Sequence, residues 1–307
     1  MSALICGSFA FDTIMVFPDH FKNHILPDKV HMLNVAFMVP ELRREFGGCA
    51  GNIAFNLKLL GDEPVPMGTV GRDFGSYAEW MDKHGINRRH VKVIDETYTA
   101  QAFITTDIDD NQITAFHPGA MSHAHQNSIT DPEHIKLGII APDGRDGMIQ
   151  HAQQFHQANI PFIFDPGQGL PMFDGDELME FVDQASFIAL NDYEAQMFQN
   201  KTGLSPHDIA RHVEALIITR GSKGSYIYTE NKRIDIPCAQ ASVIRDPTGC
   251  GDAYRAGLMH GIMHEKTWEE TGRIASLLGA IKIEHFGTQN HYFDLASFQA
   301  RLKAAFE

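Results

Sequence analysis

The segment Asp246-Pro247-Thr248-Gly249-Cys250-Gly251-Asp252-Ala253-Tyr254-Arg255-Ala256-Gly257 puts an anion cradle and a carboxylate side by side. Small residues open a helix directly after a loop here. Glycines let backbone N–H groups approach an anion, and a helix N-terminus favours negative charge at that point. The Gly249, Cys250 and Gly251 backbone would form the anion hole. Asp252, in the same first turn and kept ionised by the helix dipole, would take a proton from an alcohol whose oxygen attacks a bound phosphate. The plainer alternative is a glycine-rich helix cap with Asp252 as a capping carboxylate. Two other phosphate motifs are excluded. A G-x-G-x-x-G fingerprint would need glycine where Tyr254 stands, and no G-x-x-x-x-G-K-[ST] occurs.

The elements around this segment define the fold class. Ala3 to Phe9 reads as a buried strand that ends in a glycine-serine turn, and Cys49 to Leu60 carries Ile53, Leu57 and Leu60 at helical spacing. From about residue 135, short apolar strands alternate with helices. The strands are Leu137–Ala141, Pro161–Asp165, Ser186–Asn191 and Ala215–Thr219, and the helices are Met148–Ala158, Glu177–Gln184, Tyr193–Asn200 and Pro206–Val213. Two strand-like runs, Ser225–Thr229 and Arg233–Pro237, precede a helix from about Gly249 to Met263, and 267–285 and 294–306 read as closing helices. This alternation implies an α/β fold with a doubly wound, mainly parallel sheet. Residues 30–46 read as half-exposed strands. Thr99–Thr106 alternates like a strand and can pair with Gln112–Phe116 across Asp109-Asp110-Asn111. Segments 13–47 and 96–118 therefore form a small β-sheet lid, and 1–12, 48–95 and 119–307 form the catalytic core.

Composition removes other functions. With 25 Lys and Arg against 39 Asp and Glu, the net charge is −14, which repels nucleic-acid phosphates. No stretch approaches the roughly 20 apolar residues of a membrane span and the start of the chain lacks a basic leader, so a cytoplasmic protein is expected. Cys6, Cys49, Cys238 and Cys250 have no C-x-x-C spacing and read as small fillers. Seventeen histidines, among them His20, His24, His31, His123 and His125, form no H-E-x-x-H or Cys/His ligand pattern and read as solvated.

On segment 246–257 the chain resembles the ribokinase-like (PfkB-type) carbohydrate and nucleoside kinases, whose signature is D-T-x-G-A-G-D-x-F-x-x-G. Pro247, Cys250 and Tyr254 replace threonine, alanine and phenylalanine. Gly47-Gly48-Cys49-Ala50-Gly51-Asn52-Ile53-Ala54 and Gly68-Thr69-Val70-Gly71-Arg72-Asp73-Phe74-Gly75 resemble the N-terminal signature. Asn191-Asp192-Tyr193-Glu194 is similar to N-x-x-E, and Thr219-Arg220-Gly221-Ser222-Lys223-Gly224 to T-x-G-x-x-G. Within the family the resemblance is strongest to bacterial adenosine kinases, carried by Gly7-Ser8-Phe9-Ala10-Phe11-Asp12, Asp165-Pro166-Gly167-Gln168 and the tail Glu284 to His291.

The resemblance implies ATP-dependent phosphorylation of the adenosine 5′-hydroxyl, with Asp252 as base. It implies that Ser8 and Asp12 belong to a substrate-binding turn, and that Asp12, the Gly48 N–H and Asn52 hold ribose. Phe103 and Phe116 would stack on the purine, and Gln168 would read its edge. Asn191, Thr219, Gly221 and Gly224 would serve ATP. Glu194 would serve Mg²⁺ through water, and Asp246 and Thr248 a monovalent cation, potassium. A sugar kinase, a kinase for another purine nucleoside, or a non-catalytic nucleoside sensor on the same fold are the alternatives. Strand aromatics such as Phe103 and Phe116 also pack cores, and Asn191 and Glu194 also suit a helix cap. Arg72 and Arg255 receive no role. Relatives pair through lid strands, and the half-apolar 30–39 is compatible with such a homodimer.

Overall fold

The strands beneath the cradle are apolar at nearly every position, and their alternation sends successive side chains to opposite faces of one sheet. In a computed structural model describing residues 2–25, 34–109 and 111–307, β1 (Ser2–Cys6) sends Ala3 and Ile5 into one core and Leu4 and Cys6 into another. The same division holds for β10 (Phe187–Asn191), with Phe187 and Ala189 on one side and Ile188 and Leu190 on the other. Two buried faces need two helical layers. One core packs α1 (Cys49–Leu59), α2 (Gly75–Lys83), α7 (Cys250–Met263), α8 (Trp268–Ile283) and α9 (Leu295–Phe306). The other packs α3 (Arg145–Gln157), α4 (Gly175–Gln184), α5 (Asp192–Thr202) and the single turn α6 (Pro206–Ile209). Each fully buried Leu, Ile or Phe contributes on the order of 1.5–3 kcal/mol.

Among the described residues the sheet has nine strands, in the order β13-β12-β11-β10-β9-β8-β1-β4-β5. The remaining members are β4 (Pro64–Gly71), β5 (His90–Ile94), β8 (Ile135–Ile140), β9 (Phe162–Phe164), β11 (Ala215–Thr219), β12 (Ser225–Tyr228) and β13 (Arg233–Ile236). Pairing is parallel from β5 through β11, and β12 and β13 close one edge antiparallel. A second sheet, order β3-β2-β6-β7, joins β2 (Ala10–Val16), β3 (Glu41–Gly47), β6 (Ala100–Thr106) and β7 (Gln112–His117). The fold is thus a doubly wound, mainly parallel α/β sheet with a small β lid.

Several details differ from the sequence expectations. The lid begins at Ala10, so Asp12 lies in a lid strand, paired with Glu45 and Ala102. The expected strand over 30–46 is confined to Glu41–Gly47; residues 34–39 carry none, and Val30 and Met32 lie outside the described residues. So does Asp110 of the expected hairpin turn, where Asp107 accepts the backbone N–H groups of Asp109 and Asn111. The helix expected over Pro206–Val213 stops at Ile209 after one turn. β4 carries no strand signal in the sequence because two prolines and two glycines mask it, yet all of its positions are buried. Among the described residues, no helix is long and apolar enough to cross a membrane. All four cysteines are free.

Candidate active site

In a parallel sheet every strand delivers its following loop to the same edge, the usual place for a ligand. β1 ends before Ser8, β8 before Pro142 and Asp143, β9 before Asp165, β10 at Asn191 and β11 at Thr219. All of these residues line one cavity of about 810 Å³, roofed by the lid and floored by the start of α7. That is room for a ligand of roughly nucleoside or nucleotide size.

Gly249, Gly251 and Asp252 line the cavity. Gly249 has φ 78°, a left-handed conformation that favours glycine, and it turns the chain into α7. A methyl group added at Gly251 would meet no protein atom within 4 Å, so protein packing does not demand glycine there. The space it keeps open belongs to the cavity. The N–H groups of Gly251 and Asp252 have no backbone partner among the described residues, whereas the Cys250 N–H donates to the Pro247 carbonyl at 3.2 Å. Cys250 is therefore the least available of the three expected anion-hole positions.

Asp252 Oδ2 accepts from Asn52 Nδ2 at 2.8 Å. Burial pushes the Asp252 carboxyl up to about 6, against the Asn52 hydrogen bond, with Asp165 raising and Arg255 lowering it. Desolvation thus opposes the ionised form that the helix terminus favours. Such a group is poised near its operating pH, which suits a general base. Asn52 is in turn held by Gln289, whose Nε2 donates to Asn52 Oδ1 at 3.0 Å and to Tyr77 Oη at 2.6 Å. Gln289 Oε1 accepts from Trp80 Nε1 at 3.0 Å. This chain of bonds from α2 through the 286–291 loop to α1 fixes the carboxylate.

On the lid side Ser8, Asp12 and Gly48 line the cavity with Asn52. Burial, then the charges of Glu45 and Asp246, push Asp12 up to about 6. Gly48 has φ 86°, and a Cβ there would come within 2.6 Å of the backbone at Ser8 to Ala10, so the close approach of the start of α1 to the turn between β1 and β2 requires glycine. Ser8 Oγ accepts the Cys49 N–H at 3.3 Å. Gln168 lines the cavity and is exposed. Phe116 lines it as well, beside Ala102, Ile104 and Thr114. Phe103 does not: it pairs with Ala115, one residue out of phase with Ala102 and Phe116, and alternation puts it on the other face of the lid. Its expected stacking role is corrected on that ground.

Across the cavity, Asn191 caps α5 and forms a reciprocal box with Glu194. Glu194 Oε2 accepts the Asn191 N–H at 2.8 Å and Oε1 accepts Asn191 Nδ2 at 2.7 Å. Burial raises the Glu194 pKa. Arg255, given no role from sequence, is buried and lines the cavity, with Nη2 at 2.9 Å from Asp165 Oδ1 and 4.0 Å from Glu194 Oε2. Its Nε is buried without a partner. Thr219 reaches the cavity wall, whereas Gly221 and Gly224 lie in the turn beyond it. Arg72 instead stacks on Tyr98 at 4.3 Å.

The Asp246 oxygens expected to serve a cation are engaged by donors of the protein itself. Asp246 Oδ1 accepts the Thr248 N–H and Oδ2 the Gly287 N–H, both at 2.9 Å. The Asp246 carbonyl accepts from Lys282 Nζ at 2.7 Å. An added potassium ion, which needs several converging oxygens, does not fit this arrangement. Elsewhere, Asp62, His260 and His264 come together, with His260 Nδ1 and His264 Nε2 at 2.7 and 2.8 Å from the Asp62 oxygens. They have metal-ligand proximity but lie at the C-terminal end of α7, outside the cavity.

Sequence reasoning also missed Asp143, whose carboxyl is pushed up to about 8 by burial and whose Oδ2 is buried unpaired. No motif marks Asp143 or Lys282, and Arg255 and Gln289 fall at unspecified positions of the 246–257 segment and the 284–291 tail; the only signal was a charged or polar residue inside an apolar or small-residue context.

A doubly wound core, a β lid and an aspartate at a glycine-rich helix start define a class of small-molecule kinases. The pfkB family carbohydrate kinase signature matches residues 14–293, and the chain belongs to that family. Among solved structures, a nucleoside kinase of Burkholderia thailandensis in complex with inosine is 50% identical, with TM-score 0.90 over 99% of this chain and 98% of that one. The same protein in complex with ADP-inosine aligns with TM-score 0.87 at 52% identity, over 99% of this chain and 96% of that one. The nucleoside kinase of Methanocaldococcus jannaschii is 34% identical over 264 residues, covering 84% of this chain and 85% of that protein.

Proposed function

We propose that this chain transfers the γ-phosphoryl group of ATP to the 5′-hydroxyl of a purine nucleoside, with adenosine giving AMP and ADP. The reading is carried by Asp252, a half-buried carboxylate pushed up to about 6 beside amides without backbone partners, in one cavity with Asp12, Ser8 and Gly48. The 5′-hydroxyl gives its proton to Asp252 as its oxygen attacks the γ-phosphorus. The bond from that phosphorus to the β-phosphate's bridging oxygen breaks, and ADP leaves. The Gly251 and Asp252 N–H groups hold the charge that develops on the transferring oxygens. Asp12 accepts the ribose hydroxyls, and Phe116 offers an aromatic face to the base. Apolar Ile104, Met121 and Met172 in the same wall suit a purine better than a sugar.

Thr219 and Asn191 border the ATP side, with Gly221 and Gly224 further along it. Glu194, its oxygens held by Asn191, fits a role toward Mg²⁺ through water, since that ion keeps several waters. Bound there, Mg²⁺ would neutralise phosphate charge. Chelation should then abolish turnover and added Mg²⁺ restore it.

Inosine is the second substrate reading, favoured by the inosine-bound relative. ADP release with ATP, Mg²⁺ and a panel of adenosine, inosine, guanosine, ribose and fructose separates these readings. A kcat/KM for ribose or fructose above that of every nucleoside refutes the nucleoside assignment.

A further inference from the structure

The C-terminal turn of α8 places a lysine where the site's loop turns its carbonyls inward. Lys282 is fully buried. Its Nζ donates to the carbonyl of Asp246 at 2.7 Å and to that of His285 at 3.3 Å. Asp246 opens the 246–249 loop that leads into the anion-binding start of α7, and His285 opens the 285–291 loop that carries Gln289. One ammonium thus ties together the two loops that frame Asp252. Charges so buried are kept only when paired and hydrogen-bonded. Here the partners are two backbone carbonyls, with the Asp246 carboxylate occupied by the Thr248 and Gly287 N–H groups. Oxygens converging on one positive centre are what a weakly hydrated monovalent cation also requires.

We infer that the Lys282 ammonium is a built-in replacement for a bound monovalent cation, making the phosphoryl-transfer site independent of potassium. Lys282 is a positioning residue. It holds the Asp246 carbonyl and keeps a fixed positive charge behind the Gly249–Asp252 turn, where a transferring phosphoryl group gathers negative charge. A lysine that merely capped α8 would serve only the helix end, whereas this one bridges to a loop 36 positions away in sequence.

The inference rests on the kinase reading for its kinetic arm and on geometry alone for its structural arm. Wild-type turnover is measured with potassium exchanged for tetramethylammonium at constant ionic strength, and the rate should not change. Lys282→Ala should lose about 10²-fold in kcat without potassium, and potassium or ammonium should restore it, which no purely structural defect would allow. Independently of activity, thallium(I), a potassium probe, soaked into crystals should give an anomalous peak between the Asp246 and His285 carbonyls in the Ala variant and none there in the wild type. Activation of the wild type by potassium, or a thallium peak at that position in the wild type, overturns the inference. So does a folded variant whose loss no cation repairs. If the variant does not fold, the two wild-type measurements still decide. Absence of turnover with every nucleoside would instead refute the proposed function, leaving the thallium result to judge Lys282.

Discussion

Asp252 and Asp12 are both half-buried carboxylates pushed up to about 6, and the proposed mechanism needs both ionised. Each is raised above its usual range, so each loses charge as pH falls through about 6. The profile of kcat/KM, which reports the free enzyme, should be flat above pH 7. Below about 6 it should fall more steeply than a single ionisation allows. A shallow limb centred near the ordinary carboxylate value would contradict the burial argument. Asp252→Asn should lower kcat by about 10²–10⁴-fold, the usual worth of a positioned base, while calorimetry finds nucleoside affinity within about tenfold of wild type. A variant keeping most of its kcat would remove Asp252 from the chemistry. Gly251→Ala tests the cradle separately. Its methyl clashes with no protein atom, so Tm should hold while kcat drops by about 10²-fold.

At the scale of elements, α7 is fixed at both ends. Near its start, Gln289 and Asn52 hold Asp252; at its end, Asp62 takes hydrogen bonds from His260 and His264 across to the turn after α1. Burial alone would raise the Asp62 pKa, but the two histidine hydrogen bonds outweigh it and leave the value lowered. A depressed folded-state pKa contributes stability above the unfolded value and loses it as pH falls through the folded one. Asp62→Ala should therefore destabilise by about 1–3 kcal/mol at neutral pH. The gap to wild type should close below about pH 4, as followed by thermal melts. An equal gap at both ends of the range would mean the carboxylate's charge is irrelevant.

For the whole molecule, the question is how the lid sits over the core. Phe116 faces the cavity and Phe103 faces away. Stacking on a desolvated base is worth about 1–3 kcal/mol. Phe116→Ala should accordingly raise the nucleoside KM by about 5–150-fold at that energy, and Phe103→Ala should leave it unchanged. If the two variants behave alike, the lid does not present its β7 aromatic to the base. The same closure would exclude water, the competing phosphoryl acceptor.

The chain alone determined the sheet class, and it marked a glycine-rich helix start and segments set apart from the strand-helix alternation. Short apolar runs such as Ala215–Thr219, alternating with helical stretches, read as central strands, and a glycine-rich helix start with a carboxylate is legible as a local pattern. It also singled out Asp252, Asn52 and Asp12, each in a short motif, and all three line one cavity. Tertiary structure decided what no local window contains. Which face of the lid Phe103 occupies depends on strand register. That Arg255 is buried against Asp165, and that Lys282 reaches the Asp246 carbonyl, depends on segments far apart in sequence meeting in a dry interior. Burial also reset Asp252 itself, because desolvation is a property of the surrounding packing and has no representation in the order of residues.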